Sequence, residues 1–351
     1  DYEILISRMV DRAIRPIFPD DYHADTNISI TLMSSDEDVL PDCLAGLAAS
    51  AALAVSDIPF NGPISEVRVA KIDGELFINP KPSDLEKASL ELIVAGSEEF
   101  ILMVEGEGDE VSEDEMVEAL QFGHEEIKRH CKVQKELTKL VGKEEKRAYS
   151  HEDNDEALFE KIKTELYDSL YEVVSRQISV KQERSDLTKA IKDGFVESLG
   201  EDHGYDERLI GRYFSKVHKE AARNFTLNEK KRLDGRQPDE IRPIWSVVDY
   251  LPSAHGSAVF TRGETQSITT CTLGTKLDEQ MVDGAVLSGY NKFFLHYNFP
   301  GFSTGEVKPN RGPGRREVGH GNLAMRALKK VLPAPADNPY TIRIVSDILE
   351  S

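Results

Sequence analysis

Cysteine and long apolar runs are scarce in this sequence, and positive charge is in deficit. Its three cysteines, Cys43, Cys131 and Cys271, are far apart and follow no metal-binding spacing. They indicate a reducing compartment, and we expect them to fill core positions. No apolar run is long enough to cross a bilayer. We therefore predict a cytoplasmic protein that does not enter a membrane.

Negative charge dominates, because 63 Asp and Glu residues against 43 Lys and Arg residues give a formal net charge of −20. Taken alone, this balance argues against a nucleic-acid-binding protein. The acidic residues are concentrated over 105–118 and 144–155, however, while arginines gather elsewhere. An acidic protein with a local basic site can still bind RNA. An acidic cytosolic protein without such a site is the alternative.

The most distinctive stretch runs from Arg311 to Gly321 and reads RGPGRREVGHG. Glycines allow the backbone to approach a ligand closely, and the start of the helix that follows favours an anion. The guanidinium groups of Arg315 and Arg316 bind phosphate oxygens. Together these features predict a phosphate-binding loop, and a flexible surface turn is the alternative. His320 either positions phosphate or is a structural hydrogen-bonding group.

A second group of arginines lies near the beginning of the sequence. The apolar spacing over 1–19 predicts a helix, and Arg8, Arg12 and Arg15 fall on one face of it. Like charges this close repel one another, so the stripe favours a polyanionic partner. Pairing of these arginines with neighbouring acids, Asp11 or Glu3, explains the stripe equally well.

Hydrophobic patterns divide the sequence into three parts, 1–144, 145–231 and 232–351. The first and third parts mix helices with strands, and the second shows helical periods only, led by apolar residues spaced by four from Leu158 to Val174. Asp73-Gly74 predicts a hairpin, and Ser112 with Glu115 predicts a capped helix start. Strands are predicted over 27–33, 67–72, 76–78, 90–94, 100–104, 247–248, 258–260, 266–273 and 340–345. The fold class is therefore α+β.

An internal repeat links the first and third parts. Residues 12–19 (RAIRPIFP) and 326–333 (RALKKVLP) are identical or chemically similar at every position except one, and a polar spacer and a predicted strand follow each. A duplicated module explains this better than chance does. We expect the sequence to hold the back part of one module, a helical linker and the front part of a second, as a piece of a longer protein.

The stretch 293–299 is rich in aromatic residues. Its alternation favours core positions in a strand for Phe293 and Leu295. Tyr297 and Phe299 are candidates for stacking on RNA bases, with core packing as the alternative.

Several motifs together resemble bacterial polynucleotide phosphorylase. They are RLDGR at 232–236, HGSAVFTRGETQ at 255–266, FLHYNFP at 294–300 and GRREVGHG at 314–321, with IPFNGPI at 58–64 and VAGSE at 94–98 resembling the first core domain of that family. The resemblance covers nearly the whole sequence, and the helical linker is its least distinctive part. It implies two RNase PH-type (ribosomal protein S5 domain 2-like) α/β cores, each incomplete here, joined by an all-helical domain.

The resemblance also implies an activity, that of a polyribonucleotide nucleotidyltransferase. Such a phosphorolytic 3′-to-5′ exoribonuclease of mRNA degradation uses inorganic phosphate to release nucleoside diphosphates from single-stranded RNA, and it can run backward as a polymerase. The family requires Mg²⁺ and assembles as a ring-shaped homotrimer. RNA degradosome components are further partners that the resemblance implies.

Residue by residue, the resemblance assigns Arg315 and Arg316 to phosphate and the RNA 3′ end, and it places His320 close to them. Arg262 matches an arginine beside the RNA path. Basic residues of the first core that are implicated in RNA contact correspond to Arg8, Arg12 and Arg15.

Other parts of the family's site fall outside this sequence. A serine-rich turn that holds the attacking phosphate would follow Glu350-Ser351, the acidic Mg²⁺ ligands would lie farther on, and the paired arginines of the first core would precede Asp1. No metal ligand is therefore predicted within 1–351. We expect the 351-residue chain by itself to be inactive.

Three functions compete for this sequence. A phosphorolytic exoribonuclease needs no side-chain nucleophile, because phosphate itself attacks, and this fits the lack of any Ser-His-Asp, Walker or Cys/His pattern. A non-catalytic RNA-binding ring subunit of the same fold would use the paired arginines equally well. A hydrolytic nuclease would need clustered metal-binding carboxylates, but acidic pairs such as Glu113-Asp114 sit in an acidic surface run.

Overall fold

The computed structural model describes residues 2–36, 38–200, 203–284, 288–309, 311–334 and 336–351. The chain forms two compact units: Asp1–His151 together with Trp245–Ser351, and Glu152–Ile244. The larger unit thus combines residues from both predicted cores. No helix within the described ranges is both long and apolar enough to cross a membrane.

A four-stranded antiparallel sheet, in the order β2-β1-β3-β4, is central to the first part of the larger unit. Its strands are β1 (Ser65–Ile72), β2 (Glu75–Ile78), β3 (Ala88–Gly96) and β4 (Ile101–Gly108). Asp73 and Gly74 join β1 to β2 with φ values of +51° and +88°. A two-residue hairpin turn of this kind requires positive φ at both positions, so the predicted hairpin is confirmed.

Helices cover both faces of this sheet. They are α1 (Tyr2–Ile14), α2 (Asp42–Ala54), the short α3 (Pro82–Leu85) and α4 (Glu113–Val141). Side chains alternate along β3, so that Leu92 packs toward α4 while Ile93 packs with α1 and α2. The predicted cap of α4 is confirmed, because the Ser112 hydroxyl accepts from the Glu115 N–H at 3.3 Å and the Glu115 carboxylate accepts from the Ser112 N–H at 2.9 Å.

The second part of the larger unit contains a five-stranded sheet in the order β10-β11-β7-β6-β5. β10 runs parallel to β11, while β11 pairs with β7, and β7 with β6, in antiparallel fashion. The strands are β5 (Ile244–Val248), β6 (Gly256–Arg262), β7 (Thr265–Gly274), a separate pair β8 (Gln280–Asp283) and β9 (Ser288–Asn291), β10 (Phe293–Asn298) and β11 (Thr341–Glu350). Helix α8 (Arg315–Lys329) packs on β10, with Gly321 against Tyr297.

Helices α1 and α8, one from each copy of the repeat, are in contact within the larger unit. Gly319 of α8 is buried at this contact. A methyl group at Gly319 would collide with the guanidinium end of Arg8. Because glycine has no side chain, Arg8 can lie directly on the backbone of α8 at Gly319.

The smaller unit is helical in its described residues and consists of α5 (Glu156–Ser175), α6 (Lys181–Leu199) and α7 (Glu207–Glu229). The apolar residues spaced by four from Leu158 to Val174 are all buried, which confirms the predicted amphipathic helix. The first four of them, from Leu158 to Leu170, pack with Ile210, Phe214 and Val217 of α7. Burial of one helix face in this way supplies most of the stability of such a helix.

The strand predicted over 27–33 is wrong, because these residues are described and form no strand. Leu32 and Met33 are 49% and 88% exposed. In the second copy, the corresponding β11 is hydrogen-bonded to β7 on one side and to β10 on the other. Both partners precede β11 in the sequence, whereas the described residues before 27 form α1 and a 3-10 turn (Arg15–Ile17) and no strand. Apolar alternation without a partner strand leaves the backbone groups unpaired and does not produce a strand.

Candidate functional site

The predicted arginine loop leads directly into a helix. Gly312 has a φ of +84°, and α8 begins after Gly314, which has the extended conformation of an N-cap residue. Arg315 and Arg316 are thus the first two residues of a 15-residue helix, and both are exposed. Unpaired backbone N–H groups and two guanidinium groups at one helix start provide the elements of an anion site.

Glu317 holds this helix start in place. Its carboxylate accepts a hydrogen bond from the backbone N–H of Gly314 and, at 3.1 Å, another from the N–H of Phe299, which follows β10. One side chain therefore ties the arginine loop to the sheet. Sequence reasoning missed Glu317, although an acidic residue three positions after the N-cap is a recognised capping signal.

The aromatic residues at the end of β10 lie beside the arginines. The guanidinium carbon of Arg316 is 5.6 Å from the centre of the Phe299 ring, within the range of a cation–π contact. Phe299 stacks on Tyr297 with ring centres 6.4 Å apart, and the Tyr297 ring centre is 5.6 Å from that of His320. Tyr297 and Leu295 both face α8, so Tyr297 packs between strand and helix as well as bordering the site.

Arg8 reaches the same cluster from α1, where it lies against α8 at Gly319. Burial lowers the pKa of His320 below its ordinary value of 6.5, and the positive charges of Arg316 and Arg8 lower it further. The imidazole is therefore neutral near pH 7. In this form its ring N–H can donate a hydrogen bond to a phosphate oxygen without adding charge.

Arg8, Arg315 and Arg316 share one property: none of them forms an ion pair with a residue in the described part of the chain. The 351-residue chain carries a formal net charge of −20. Positive charges that lie close together without a carboxylate partner repel one another, and a bound anion relieves that repulsion. Their convergence therefore favours an anionic ligand over the alternative of a merely solvated turn.

The other two arginines of the predicted stripe, Arg12 on α1 and Arg15 on the 3-10 turn that follows it, are engaged by carboxylates. Arg15 donates to both carboxylate oxygens of Asp11, at 2.7 and 2.6 Å, which is the local pairing considered above. Arg12 donates to Glu105 of β4, which also accepts from Arg326 of α8 at 3.2 Å. The assignment of Arg12 and Arg15 to RNA contact stays a prediction.

Arg262 is the last residue of β6 and is exposed. The strand register aligns Asn298 of β10, through β11 and β7, with Val259 of β6. Arg262 lies three positions farther on, at the end of the sheet where β10 ends and α8 begins. The arginine is thus at the correct edge of the sheet, and its assignment to the RNA path stays a prediction.

A cleft of about 1430 Å³ opens beside these residues. Arg8 of α1 and Arg15 of the 3-10 turn after it line the cleft on one side, and Arg315 and Arg316 line it from α8. Residues of 18–32 form much of another wall. Arginines from both copies of the repeat therefore face one space. The volume is sufficient for a nucleotide-sized ligand.

No group of three or more His, Cys, Asp or Glu side chains is placed to hold a metal ion among the residues that the structure describes. The residues present do not fit a complete Mg²⁺ site. The chemistry that they can provide is that of guanidinium, imidazole and backbone N–H groups.

Three family models match this chain. The first domain of the 3′ exoribonuclease family matches residues 1–59 and 240–351, and the second domain of that family matches residues 62–126. The RNA binding domain of polyribonucleotide nucleotidyltransferase matches residues 157–237. Because the first-domain model matches both copies of the repeat, it agrees with the inferred duplication.

Curated relatives match the chain over its whole length. A polyribonucleotide nucleotidyltransferase of Cytophaga hutchinsonii is 64% identical over 351 residues, covering 100% of this chain and 49% of its own length. Those of Bacteroides fragilis and Amoebophilus asiaticus are 57% and 58% identical over 100% of this chain and cover 49% and 50% of their own lengths. The chain thus spans about half the length of the curated relatives it matches. A crystal structure of rice (Oryza sativa) Rrp46 has a TM-score of 0.26 at 19% identity over 34% of this chain and 50% of that chain, a similarity too low to define a fold.

RNase PH-type domains with a helical RNA binding domain between them define the class of protein. The chain belongs to the 3′ exoribonuclease family and, within it, to the polyribonucleotide nucleotidyltransferases. The family and the α+β fold class predicted from the sequence motifs are therefore confirmed.

Proposed function

We propose that this protein degrades single-stranded RNA from its 3′ end by phosphorolysis, releases nucleoside diphosphates, and can run the reaction in reverse as a polymerase. The observation that carries the proposal is the convergence of Arg8, Arg315 and Arg316 around a neutral His320 at a helix start, with no carboxylate paired to these arginines among the described residues. The names of the relatives support the same reaction.

The reaction joins two anions. An oxygen of inorganic phosphate attacks the phosphorus of the terminal phosphodiester, the bond from that phosphorus to the preceding 3′ oxygen breaks, and the 3′ oxygen takes up a proton. The terminal nucleotide leaves as a nucleoside diphosphate. Guanidinium groups offset the repulsion between phosphate and RNA and hold the attacking oxygen in line, so no protein nucleophile is required.

Each residue of the site has a role in this proposal. Arg315 and Arg316, at the positive end of α8, bind phosphate and the last phosphodiester, and His320 donates a hydrogen bond to one of these oxygens. Arg8 adds charge from α1. Further RNA contacts are proposed for the remaining predicted residues, Arg12, Arg15, Arg262, Tyr297 and Phe299.

The wider organisation belongs to the same proposal. It comprises two cores, 1–144 and 232–351, around a helical domain, 145–231, and a cytoplasmic homotrimeric ring that requires Mg²⁺ and contacts RNA degradosome components. The resemblance to the family supports these points and assigns the Mg²⁺ ligands to positions after 351. Free thiols at Cys43 and Cys131, both buried, support a reducing compartment.

The decisive experiment gives poly(A) and Mg²⁺ to the intact protein, with and without inorganic phosphate, and identifies the products. We expect ADP only when phosphate is present, and we expect Arg315→Ala with Arg316→Ala to abolish it. Arg208→Ala is the matched control, because Arg208 is exposed on the helical unit and pairs with Asp206. AMP formed without phosphate would establish a hydrolase. RNA binding without any product would establish a non-catalytic ring subunit.

A further inference from the structure

Glu105 of β4 lies between the two copies of the repeat. Its Oε2 accepts from Arg12 Nη1 of α1, and its Oε1 accepts from Arg326 Nη1 of α8 at 3.2 Å. The side chains of Glu105 and Arg326 are 11% and 18% exposed, so solvent screens this contact less than a surface ion pair. Each oxygen of one carboxylate is thus bonded to a different helix.

Arg12 and Arg326 occupy the same position in the two copies of the repeat. Arg8 stands one helical turn before Arg12 on α1, and the Arg315–Arg316 pair begins the helix that carries Arg326. A helix transmits position along its axis because its backbone hydrogen bonds hold a fixed rise per residue. Binding both equivalent arginines to one carboxylate therefore constrains Arg8 relative to the Arg315–Arg316 pair.

We propose that Glu105 is a positioning residue for the anion site, because it sets the spacing between Arg8 and the Arg315–Arg316 pair so that both repeat copies bind one anionic ligand. Glu105 does not touch the ligand. The identity of that ligand, the 3′ end of RNA, rests on the proposed function, whereas the link between α1 and α8 rests on the contacts of Glu105 alone.

Two neighbouring acids, Glu107 of β4 and Asp109 just after the strand, supply a matched control. Glu107 accepts from Arg326 Nε at 3.4 Å, and Asp109 pairs with Lys330 at 2.9 Å, so both hold the end of α8. Of these three acids, Glu105 alone also bonds to α1 in the described residues. Glu105→Gln and Glu107→Gln remove the same charge from the same strand, but only the first separates the two helices.

The test measures the Kd of a 3′-hydroxyl oligoadenylate for the intact protein at fixed salt, by fluorescence anisotropy. The Arg8→Ala substitution is introduced into the wild-type protein, into the Glu105→Gln variant and into the Glu107→Gln variant. We expect Arg8→Ala to weaken binding about tenfold in the wild-type and Glu107→Gln backgrounds. In the Glu105→Gln background, where Arg8 is already misplaced, we expect a loss of about threefold or less.

Equal losses from Arg8→Ala in all three backgrounds would overturn the proposal, since a purely structural Glu105 lowers stability without coupling to Arg8. Urea unfolding of each variant checks folding. If Glu105→Gln is poorly folded, Arg326→Gln removes the same contact from the α8 side. The effect of Arg8→Ala on the Kd is then compared between the wild-type and Arg326→Gln backgrounds, with the same expected outcomes.

Phosphorolysis of the oligoadenylate is measured on the same samples. Coupling in the Kd values with no ADP release would keep the positioning role and reject the proposed reaction. ADP release without coupling in the Kd values would support the proposed reaction and reject the positioning role of Glu105. The two proposals therefore fail separately.

Discussion

The carboxylate of Glu317 accepts a hydrogen bond from the backbone N–H of Phe299 at 3.1 Å. Its second oxygen accepts from the N–H of Gly314, immediately before α8. The arginines that begin α8 and the aromatic residue that follows β10 are thereby held together by a side chain that faces neither RNA nor phosphate in the proposed function. The precision of the site depends on this link.

Glu317→Ala should lower phosphorolysis by about tenfold or more, because a small displacement of the arginines disrupts the alignment of phosphate with RNA. The loss of stability should be only about 1 kcal/mol, the usual effect of removing a helix cap. Glu317→Gln keeps one acceptor oxygen and should lie between. Glu306→Ala is the control, since Glu306 is exposed and pairs only with Lys308 among its described contacts. Steady-state kinetics and urea unfolding would measure both effects, and an unimpaired Glu317→Ala enzyme would contradict the role.

Gly319→Ala separates stability from function. Alanine in a helix interior is normally more stable than glycine by up to about 1 kcal/mol. At Gly319, however, the new methyl group occupies the place of the Arg8 guanidinium, which is flexible and must move away. We expect near-normal thermal stability with a loss of RNA affinity equal to that of Arg8→Ala, and no further loss in the double variant. Gly194→Ala on α6, where nothing lies within 4 Å, should leave RNA affinity unchanged.

His320 should titrate below pH 6.5 in the free protein, and NMR of its ring carbons would measure the midpoint. Burial is the largest cause of the lowered pKa, and Arg316 is the next. Arg316→Gln should therefore raise the midpoint only part of the way, while inorganic phosphate bound to wild type should raise it because an anion favours the imidazolium form. His218, whose pKa is lowered by burial alone, should not respond to either change. A midpoint unaffected by phosphate would argue against phosphate binding at this histidine.

Glu66 on β1 should make stability fall with rising pH. It is 1% exposed, its oxygens have no hydrogen-bond partner among the described residues, and burial raises its pKa from 4.5 to about 8, with the charge of Asp42 adding to the effect. Between pH 4.5 and 8 the unfolded chain releases this proton while the folded protein retains it. The free energy of unfolding therefore falls by up to about 1.4 kcal/mol per pH unit from this group.

Glu66→Gln should remove this fall in the free energy of unfolding with pH. Urea unfolding from pH 5 to 8 would measure it. The amide can change the stability by a constant amount at every pH without affecting this test. Glu98→Gln provides the control, because hydrogen bonding to Lys135 lowers the pKa of the partly exposed Glu98. Its contribution to stability is lost only as pH falls below about 4.5, so that variant should keep the wild-type slope. A Glu66→Gln protein with the full slope would place the pH dependence elsewhere.

Local patterns predicted local structure well. The Ser112–Glu115 cap, the Asp73-Gly74 hairpin and the buried face of α5 each depend on residues within a few positions of one another, and all three were confirmed. The strand over 27–33 failed because a strand requires a partner that its own residues do not specify. Periodicity indicates what a segment can bury, but the surroundings decide whether it pairs.

The candidate site shows the same division. The helix start at Arg315 and Arg316 follows from adjacent residues, so the sequence sufficed to predict it. The approach of Arg8 to Gly319 joins residues far apart in the sequence, and no local pattern predicts it. The acidic run from 105 to 118 was interpreted as a solvated surface, yet Glu105 is only 11% exposed and binds two arginines. Composition does not distinguish an acid that faces water from one that faces a distant arginine.

The contact of α1 with α8 has an evolutionary consequence. Once one copy of a duplicated module contributes a guanidinium group to the cleft of the other copy, selection acts on both copies together rather than on either one alone. One copy can then lose its own chemistry and persist as a supporting partner, while its surface residues remain under constraint. Substitutions in α1 and β4 should accordingly covary with substitutions in α8 across the lineage, even though these segments belong to separate ancestral modules.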